Sequence, residues 1–230
     1  MTFDSISLPE VADLVVGILG GTGDQGKGLA YRFARAGQRV VVGSRSAERG
    51  VEAAAAIAAM PGVTGTVTGA ANPAAAEASD VVIIAVPWEG HAETVAALRQ
   101  QLAGKVVVDC VNPLGFDAKG PYPLRVPEGS AAEQTESLLP ESRVCAAFHH
   151  VSAVLLIDPT VDRVDLDVLV LGEDRDAVGI VAALAGRIPG MRGVHAGRLR
   201  NAGQVEALTA NLIAINRRYK AHAGIRVTDV

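Results

Sequence analysis

A glycine-rich loop near the start of the chain constrains the fold more than any other feature. The apolar run of residues 14–19 leads directly into Gly21-x-Gly23-x-x-Gly26, and a helical pattern follows at once. Between a strand and a helix this spacing is typical of dinucleotide-binding proteins. Gly21 permits a tight turn, Gly23 lets the backbone approach a pyrophosphate, and Gly26 lets the helix pack on the sheet. The helix N-terminus presents free N–H groups to the anion. The alternative is a glycine-rich turn without a ligand.

The pattern around this loop predicts an α/β protein with a doubly wound, Rossmann-like parallel sheet. Short β-branched runs alternate with Ala- and Leu-rich stretches that have helical periodicity. Six runs are predicted as strands, at residues 14–19, 39–43, 64–68, 81–86, 105–109 and 143–147. These six strands are enough for one sheet.

The pattern changes after Ala153, which predicts two units. Residues 1–150 would form the dinucleotide-binding domain, and residues 151–230 a smaller α-rich unit that completes the site. The second unit has a predicted strand at 167–171, a helix from Asp174 and a stretch at 188–199 without clear periodicity. Its last helix has a narrow apolar stripe that indicates either core packing or a subunit contact, made of Val205, Leu208, Leu212, Ile215 and Tyr219.

Composition excludes several classes of partner. Charged residues are 20% of the chain and the net charge is −4, so neither a nucleic-acid surface nor a polybasic membrane surface is indicated. Residues 1–14 lack the basic and apolar segments of a signal peptide, and no apolar run is long enough to span a bilayer. We therefore expect a cytoplasmic protein with small-molecule partners. Cys110 and Cys145 lie in apolar runs, where buried, reduced thiols are expected and no metal site is predicted.

The end of the second predicted strand indicates which dinucleotide is bound. NAD-binding proteins usually place an acid there for the ribose 2′-hydroxyl, but this strand ends in Gly43-Ser44-Arg45. The Ser44 hydroxyl and the guanidinium groups of Arg45 and Arg49 could instead hold a 2′-phosphate, which favours NADP(H). Alternatively, Arg45, Glu48 and Arg49 are only exposed ion pairs at a helix start.

The fourth predicted strand ends in Val86-Pro87-Trp88, at the sheet edge where open α/β folds bind ligands. Val86 and Trp88 are therefore candidate cofactor contacts, although Trp88 could equally be a capping apolar residue. No catalytic acid–base constellation is evident from the spacing of the residues. Hydride transfer between two stacked rings needs none, because positioning alone supplies much of the rate.

Several of these segments resemble the F420H2:NADP oxidoreductase family, whose members are NADPH-dependent reductases of coenzyme F420. The resemblance is carried by residues 16–28, 42–45 and 86–89, in the same order and at similar spacing. Residues 147–153, Ala-Phe-His-His-Val-Ser-Ala, are similar to the family segment beside the deazaflavin, and residues 198–201 to its C-terminal part. Ser152 departs from the pattern, since the family has proline there.

The resemblance implies a function for each segment. Thr22, Gly23, Asp24 and Gln25 would contact the pyrophosphate, and Ser44, Arg45 and Arg49 the 2′-phosphate. His149 and Val151 would line the deazaflavin pocket. The implied reaction is reversible hydride transfer between NADP(H) and coenzyme F420, catalysed by a homodimer. Two other functions stay open: an NADPH-dependent flavin or ferric reductase related to the six-transmembrane epithelial antigens, and a non-catalytic NADP sensor.

Overall fold

The six predicted strands correspond to six adjacent strands of one eight-stranded sheet, including the strand at one of its edges. The computed structural model describes residues 8–230, so the first seven residues, part of the stretch in which no signal peptide is expected, lie outside it. The strands are β1 (Val15–Leu19), β2 (Arg39–Ser44), β3 (Val67–Ala71), β4 (Val81–Ile84), β5 (Val106–Asp109), β6 (Leu114–Asp117), β7 (Gly120–Pro123), β8 (Arg143–Ala146), β9 (Leu166–Gly172) and β10 (Met191–His195).

The order of the strands confirms the doubly wound topology. The large sheet runs β10-β9-β8-β5-β4-β1-β2-β3, while β6 and β7 form a separate hairpin. Strands β1 to β5 and β8 are parallel, and β9 is antiparallel to β8. The strand order reverses at β1, between β2 and β4. In this fold, ligands bind outside the carboxyl ends of the strands at that point.

Helices cover both faces of the sheet. They are α1 (Asp24–Arg35), α2 (Ala47–Ala58), α3 (Asn72–Glu77), α4 (His91–Ala97), α5 (Arg99–Leu102), α6 (Ala131–Leu138), α7 (Ala153–Ile157), α8 (Arg175–Arg187) and α9 (Ala202–Tyr219). One apolar core joins the sheet to α1, α2, α7 and α8. The other joins it to α3, α4, α5, α6 and the start of α9.

The third strand lies three residues further along the chain than predicted. The N–H groups of Thr64 and Gly65 donate to the Ala34 carbonyl at the end of α1, so these residues form a loop. The strand itself is Val-Thr-Gly-Ala-Ala, in which only the first two residues are of types enriched in strands. It is made of small residues because α2 lies directly on it. A Cβ added to Gly69 would come 2.1 Å from the Gly50 carbonyl oxygen.

The sheet continues past residue 150, and one of its strands was missed. The predicted strand at 167–171 is β9, and Asp174 caps α8 by accepting from the Ala177 N–H (2.9 Å). The stretch 188–199, in which the sequence has no clear periodicity, contains β10. This edge strand is short and half-exposed, so it has little apolar alternation. The division at residue 150 stays a prediction.

Arg32 joins α1 to α7 across the sequence. Its side chain is buried, and its guanidinium donates to four carbonyl oxygens at the end of α7 and in the next loop. The acceptors are Leu155, Leu156 (2.7 Å), Asp158 (2.9 Å) and Val161 (2.5 Å). These bonds satisfy C-terminal helix carbonyls that have no partner within α7. They fix the segment that follows His149 onto α1.

Both cysteines are buried free thiols, and burial raises the pKa of each. Among residues 8–230 no helix combines the length and hydrophobicity that a membrane crossing requires.

The apolar stripe of α9 is only partly covered: Val205 and Leu212 are buried, whereas Ile215 is 40% and Tyr219 73% exposed.

Candidate cofactor site

The glycine loop lies at the carboxyl end of β1 and caps α1. Its tight turn is made by Gly20, whose φ is +74°, and not by Gly21 as predicted. Gly21 lacks a side chain for another reason, because a Cβ there would come 2.8 Å from Val42 Cγ1. The Gly21 N–H donates to the Gly43 carbonyl (3.0 Å), which fixes the loop to the end of β2.

The other two glycines have the geometry that a phosphate cradle needs. Gly23 is the N-cap of α1 and is exposed, and the nearest atom to an added Cβ would be the Gly20 oxygen at 3.5 Å. Space therefore stays open above it for a ligand. A Cβ on Gly26 would come 2.7 Å from that same oxygen, so Gly26 permits close packing of α1. Asp24 and Gln25 form the first turn of α1.

The end of β2 places cationic groups beside this loop. Ser44 is buried, while Arg45 and Arg49 are exposed on either side of the α2 N-cap Ser46. Neither arginine forms an ion pair within the described residues, which argues against the reading of Arg45, Glu48 and Arg49 as mutually paired. Glu48 instead accepts from the Ser46 hydroxyl, which lowers its pKa.

A cavity of about 440 Å³ lies between the glycine loop and α2. Thr22 and Arg49 both line it, as does Lys27 from α1. Lys27 is half-buried and forms no ion pair in the part of the chain that the structure describes. The sequence reading overlooked it because a single helical lysine usually lies on a solvated face. The cavity thus brings an ammonium and a guanidinium together; Glu52 also lines it, but neither cation forms an ion pair with it or with another acid among residues 8–230.

The residues that directly follow β4 also lie against the glycine loop. A Cβ on Gly20 would come 2.6 Å from the Ala85 carbonyl oxygen and 3.0 Å from the Cα of Val86. Val86 and Trp88 are half-buried at this edge, and Trp88 begins a one-turn 3-10 helix. Both predicted residues therefore lie at the ligand-binding edge of the sheet.

The His149 segment is attached to the glycine loop from the other side. The Gln25 side-chain amide donates to the Phe148 carbonyl (3.2 Å). Phe148 has φ +65°, a left-handed conformation that is strained for an aromatic residue and is found mostly where function requires it. The Val151 N–H donates back to the Phe148 carbonyl (3.4 Å), which closes the turn.

His149 is 3% exposed, and neither of its ring nitrogens has a partner within residues 8–230. Burial lowers its pKa to about 4, so the imidazole is neutral at pH 7. Its carbonyl accepts from the Asn112 amide (2.8 Å) and the Thr209 hydroxyl (3.1 Å). Buried polar atoms normally have a partner, so these enclosed nitrogens make His149 a candidate ligand contact.

Comparison with known proteins identifies the family. The model of the family described as NADP oxidoreductase, coenzyme F420-dependent, matches residues 15–113. The F420-dependent NADP reductase of Methanothermobacter thermautotrophicus is 40% identical over 227 residues, covering 96% of this chain and 97% of that protein. The chain belongs to the F420-dependent NADP oxidoreductase family.

A solved structure supports the same assignment. The crystal structure from Arthrobacter sp. FB24 described as an F420-dependent NADP-reductase superposes with a TM-score of 0.76 at 26% identity. It covers 94% of this chain and 99% of that one. The rat protein Metalloreductase STEAP3 is 32% identical over 198 residues, but the match spans only 37% of its length. The F420-dependent NADP reductase of Methanothermobacter thermautotrophicus therefore matches at higher identity and over nearly its whole length.

Ser152 stands where members of the F420-dependent NADP oxidoreductase family are expected to have proline. Its φ is −67°, which is the angle that a proline ring imposes. Ser152 is the N-cap residue of α7, and its carbonyl accepts from the Leu156 N–H (3.1 Å). The backbone at Ser152 thus has a φ angle that a proline could adopt.

Proposed function

We propose that the chain binds NADP(H) on the glycine loop and coenzyme F420 beside His149, and transfers hydride between them. The Gln25–Phe148 hydrogen bond carries this proposal, because it joins the two segments at one edge of the sheet. A bound nicotinamide and a deazaflavin would then share one cleft. The family assignment supplies the two substrates.

The glycine loop and the cations beside it support NADP(H) binding. The α1 N-terminus would receive the pyrophosphate over Gly23, with Thr22, Asp24 and Gln25 around it. Ser44, Arg45 and Arg49 would hold the 2′-phosphate by charge-assisted hydrogen bonds, and Lys27 would add a further positive charge. NADH lacks the 2′-phosphate, so these cations would have no group to bind on it.

The neutral imidazole of His149 supports binding of the deazaflavin. A neutral ring offers one N–H donor and one acceptor, which suits the amide-like edge of a deazaflavin. Val151 is buried beside it and would contribute apolar surface. Two electrons and one proton move as hydride, and solvent supplies or takes the second proton. The chain's own contribution to the reaction is positioning.

The activity is tested by mixing the protein with NADPH and F420 and following the visible absorbance of the oxidised deazaflavin. We expect the band to disappear at a rate proportional to the enzyme concentration. If NADPH binds and no bleaching occurs at high enzyme concentration, the sensor function is favoured instead. Reduction of ferric chelates with no F420 turnover would favour the metalloreductase alternative.

A variant at His149 tests the second half of the site. His149→Ala should raise the F420 Michaelis constant about two- to tenfold, because one neutral hydrogen bond is lost, and leave that for NADPH unchanged. His195→Ala, at an exposed histidine, is the matched control. Equal effects on both substrates would mean that His149 only supports the fold.

We also propose that the protein is a homodimer joined through the C-terminal half of α9. The unpaired part of the α9 stripe, Ile215 and Tyr219, supports this, as do the exposed Phe116 (67%) and Tyr122 (43%) of the β6–β7 hairpin, which packs on α9. Large exposed apolar groups on elements that pack against each other are typical of an interface.

Sedimentation equilibrium tests the dimer. Wild-type protein should sediment as a dimer, and Tyr219→Glu should shift it toward monomer because a carboxylate would be buried in an apolar contact. Leu8→Glu alters an exposed leucine beside Pro9, which lies against Gly179 of α8, and should leave the mass unchanged. A wild-type monomer would refute this part of the proposal.

A further inference from the structure

A buried histidine lies directly behind the indole of Trp88. His91 is the first residue of α4 and is 0% exposed. The two ring centroids are 5.4 Å apart and the planes are tilted by 30°. This is the range of offset-stacked aromatic pairs. One face of the indole therefore rests on a side chain that has no freedom to move into solvent.

Both ring nitrogens of His91 meet hydrogen-bond acceptors. The Nε2 lies 2.7 Å from Asp109 Oδ2, and the Nδ1 lies 2.9 Å from Gln134 Oε1. The orientation of the Gln134 amide is fixed because its Nε2 donates to Glu128 Oε2 (3.2 Å). A neutral imidazole has a single N–H, so donation to both acceptors requires the protonated ring.

The carboxylate of Asp109 is anchored as firmly as the histidine. Asp109 ends β5 and is 0% exposed. Its Oδ2 also accepts from the Thr135 hydroxyl (2.6 Å), and its Oδ1 from the Val111 N–H (2.9 Å). Every oxygen of the buried charge has a donor, as a stable buried ion pair requires.

The surroundings favour the charged pair. Burial opposes the charge on His91, but the hydrogen bond and charge of Asp109 outweigh it, and the pKa of His91 is raised. Burial likewise opposes the carboxylate of Asp109, and His91 lowers its pKa. The groups that face His91 are Asp109 from β5, Gln134 and Thr135 from α6, and the more distant Glu206 of α9.

We propose that His91 is a positioning residue for hydride transfer: its cationic ring, anchored on Asp109, holds the Trp88 indole against the nicotinamide end of bound NADP(H). This inference rests on the proposed function, because Trp88 must face the dinucleotide. Trp88 follows β4 by four residues, in a one-turn helix, and packs in part against the apolar core. The contact with His91 adds a polar, fixed neighbour to that packing. A cation beneath indole, the aromatic ring with the strongest cation–π attraction, strengthens the contact.

The emission of Trp88 reports directly on this contact, because Trp88 is the single tryptophan of the chain. A protonated imidazole that touches an indole quenches its fluorescence. His91→Gln removes both the ring and the charge, so emission should rise without any cofactor present. Asp109→Asn keeps the ring but removes its anchoring charge, and emission at neutral pH should rise there too. Unchanged emission in both variants would overturn the proposal.

Kinetics of F420 reduction complete the test. His91→Gln should lower kcat about ten- to a hundredfold, since small misplacements of reacting rings are costly, with little change in the NADPH Michaelis constant. The double variant with Trp88→Phe should be no slower than the slower single variant, because both changes remove the same contact.

A control separates this role from general destabilisation. Gln38→Met removes a buried amide that donates to the carbonyls of Val11, Ala12 and Leu14, at the sheet edge opposite the ligands. It should lower thermal stability without changing kcat or emission. Additive effects of His91→Gln and Trp88→Phe, or an equal loss of kcat in Gln38→Met, would overturn the role of His91. Wild-type protein that does not bleach F420 would instead refute the proposed function, while the emission result would still stand.

Discussion

At the scale of single residues, the selectivity for NADPH should depend most on Arg45. Arg45→Ala removes charge-assisted hydrogen bonds to the 2′-phosphate, each worth about 1.5–3 kcal/mol. The NADPH Michaelis constant should rise roughly ten- to a hundredfold, since about 1.4 kcal/mol is tenfold. NADH turnover should hardly change. Steady-state kinetics with both dinucleotides measures this, and Arg99→Ala, an exposed arginine of α5, is the control. Equal losses for both dinucleotides would show that Arg45 supports the fold.

Two glycines of the loop should respond to substitution in opposite ways. At Gly23 the backbone is extended (φ −83°, ψ 166°) and a Cβ meets only one oxygen at 3.5 Å, so Gly23→Val should fold normally. Its side chain would occupy the pyrophosphate position and abolish NADPH binding. Gly26→Ala should instead lower the melting temperature, because its Cβ overlaps the Gly20 carbonyl. Titration of NADPH fluorescence, paired with thermal melts, distinguishes them. Normal binding by Gly23→Val would refute the phosphate cradle.

At the scale of elements, the apolar content of each strand determined whether the strand could be predicted from the sequence. Strands β1, β2, β4 and β5 are largely buried and rich in β-branched residues, whereas β8 is the short apolar stretch Arg-Val-Cys-Ala; the sequence predicts all five within two residues. Strand β3 was misplaced and β10 was missed because each carries glycine or alanine where a helix packs on it. A Cβ on Gly193 would come 2.4 Å from Ala182 of α8. Local sequence does not reveal a partner that lies elsewhere in the chain.

The candidate site divides in the same way. The glycine motif and the Ser44–Arg45 end of β2 are contiguous in sequence, so their spacing could be recognised. His91 lies only three residues after Trp88, but its partner Asp109 is brought to it only by the fold, which also places Lys27 beside Arg49. His149 was identified through the family resemblance alone, since nothing in its local pattern separates a ligand contact from a loop histidine.

The start of α7 should accept the proline that this chain lacks. Ser152→Pro fits the observed φ of −67°. It also restricts the unfolded chain, which typically stabilises a protein by about 0.4–1 kcal/mol. We expect a small rise in the melting temperature with F420 reduction unchanged. Thr160→Pro, which removes the N–H that donates to Asp158 Oδ1, should destabilise the protein. A fall in stability for Ser152→Pro would mean that its hydroxyl contact with His222 matters.

At the scale of the whole molecule, buried titrating groups determine how stability depends on pH. Burial lowers the pKa of His149 and His150 to about 4, so their contribution is fully present above about pH 6.5 and is lost as the pH falls toward 4. Burial raises the pKa of Glu206 to about 7, so its contribution is lost as the pH rises from about 4.5 to 7. Near pH 5.5 the unfolded chain therefore binds about one more proton than the folded one.

Urea unfolding at several pH values tests this balance. The free energy of unfolding should rise by about 1.4 kcal/mol per pH unit between pH 5 and 6. His150→Gln removes one of the opposing groups, so the slope should fall to about zero. His195→Gln, at an exposed histidine, should leave the slope as in the wild type. A slope that His150→Gln does not alter would show that His150 is protonated in the folded protein.

The bonds of Arg32 bear on how far this protein can be divided or recombined. Its guanidinium reaches carbonyls 123 to 129 residues away, and Gln25 reaches Phe148 across 123. Helix α1 thus contacts the segment of residues 148–161 as well as forming part of the glycine loop. A fragment that stops at residue 113, where the family match ends, would leave a buried cation without its acceptors. The dinucleotide-binding half is therefore not a transplantable module: a chimera would have to carry residues 148–161 along with it.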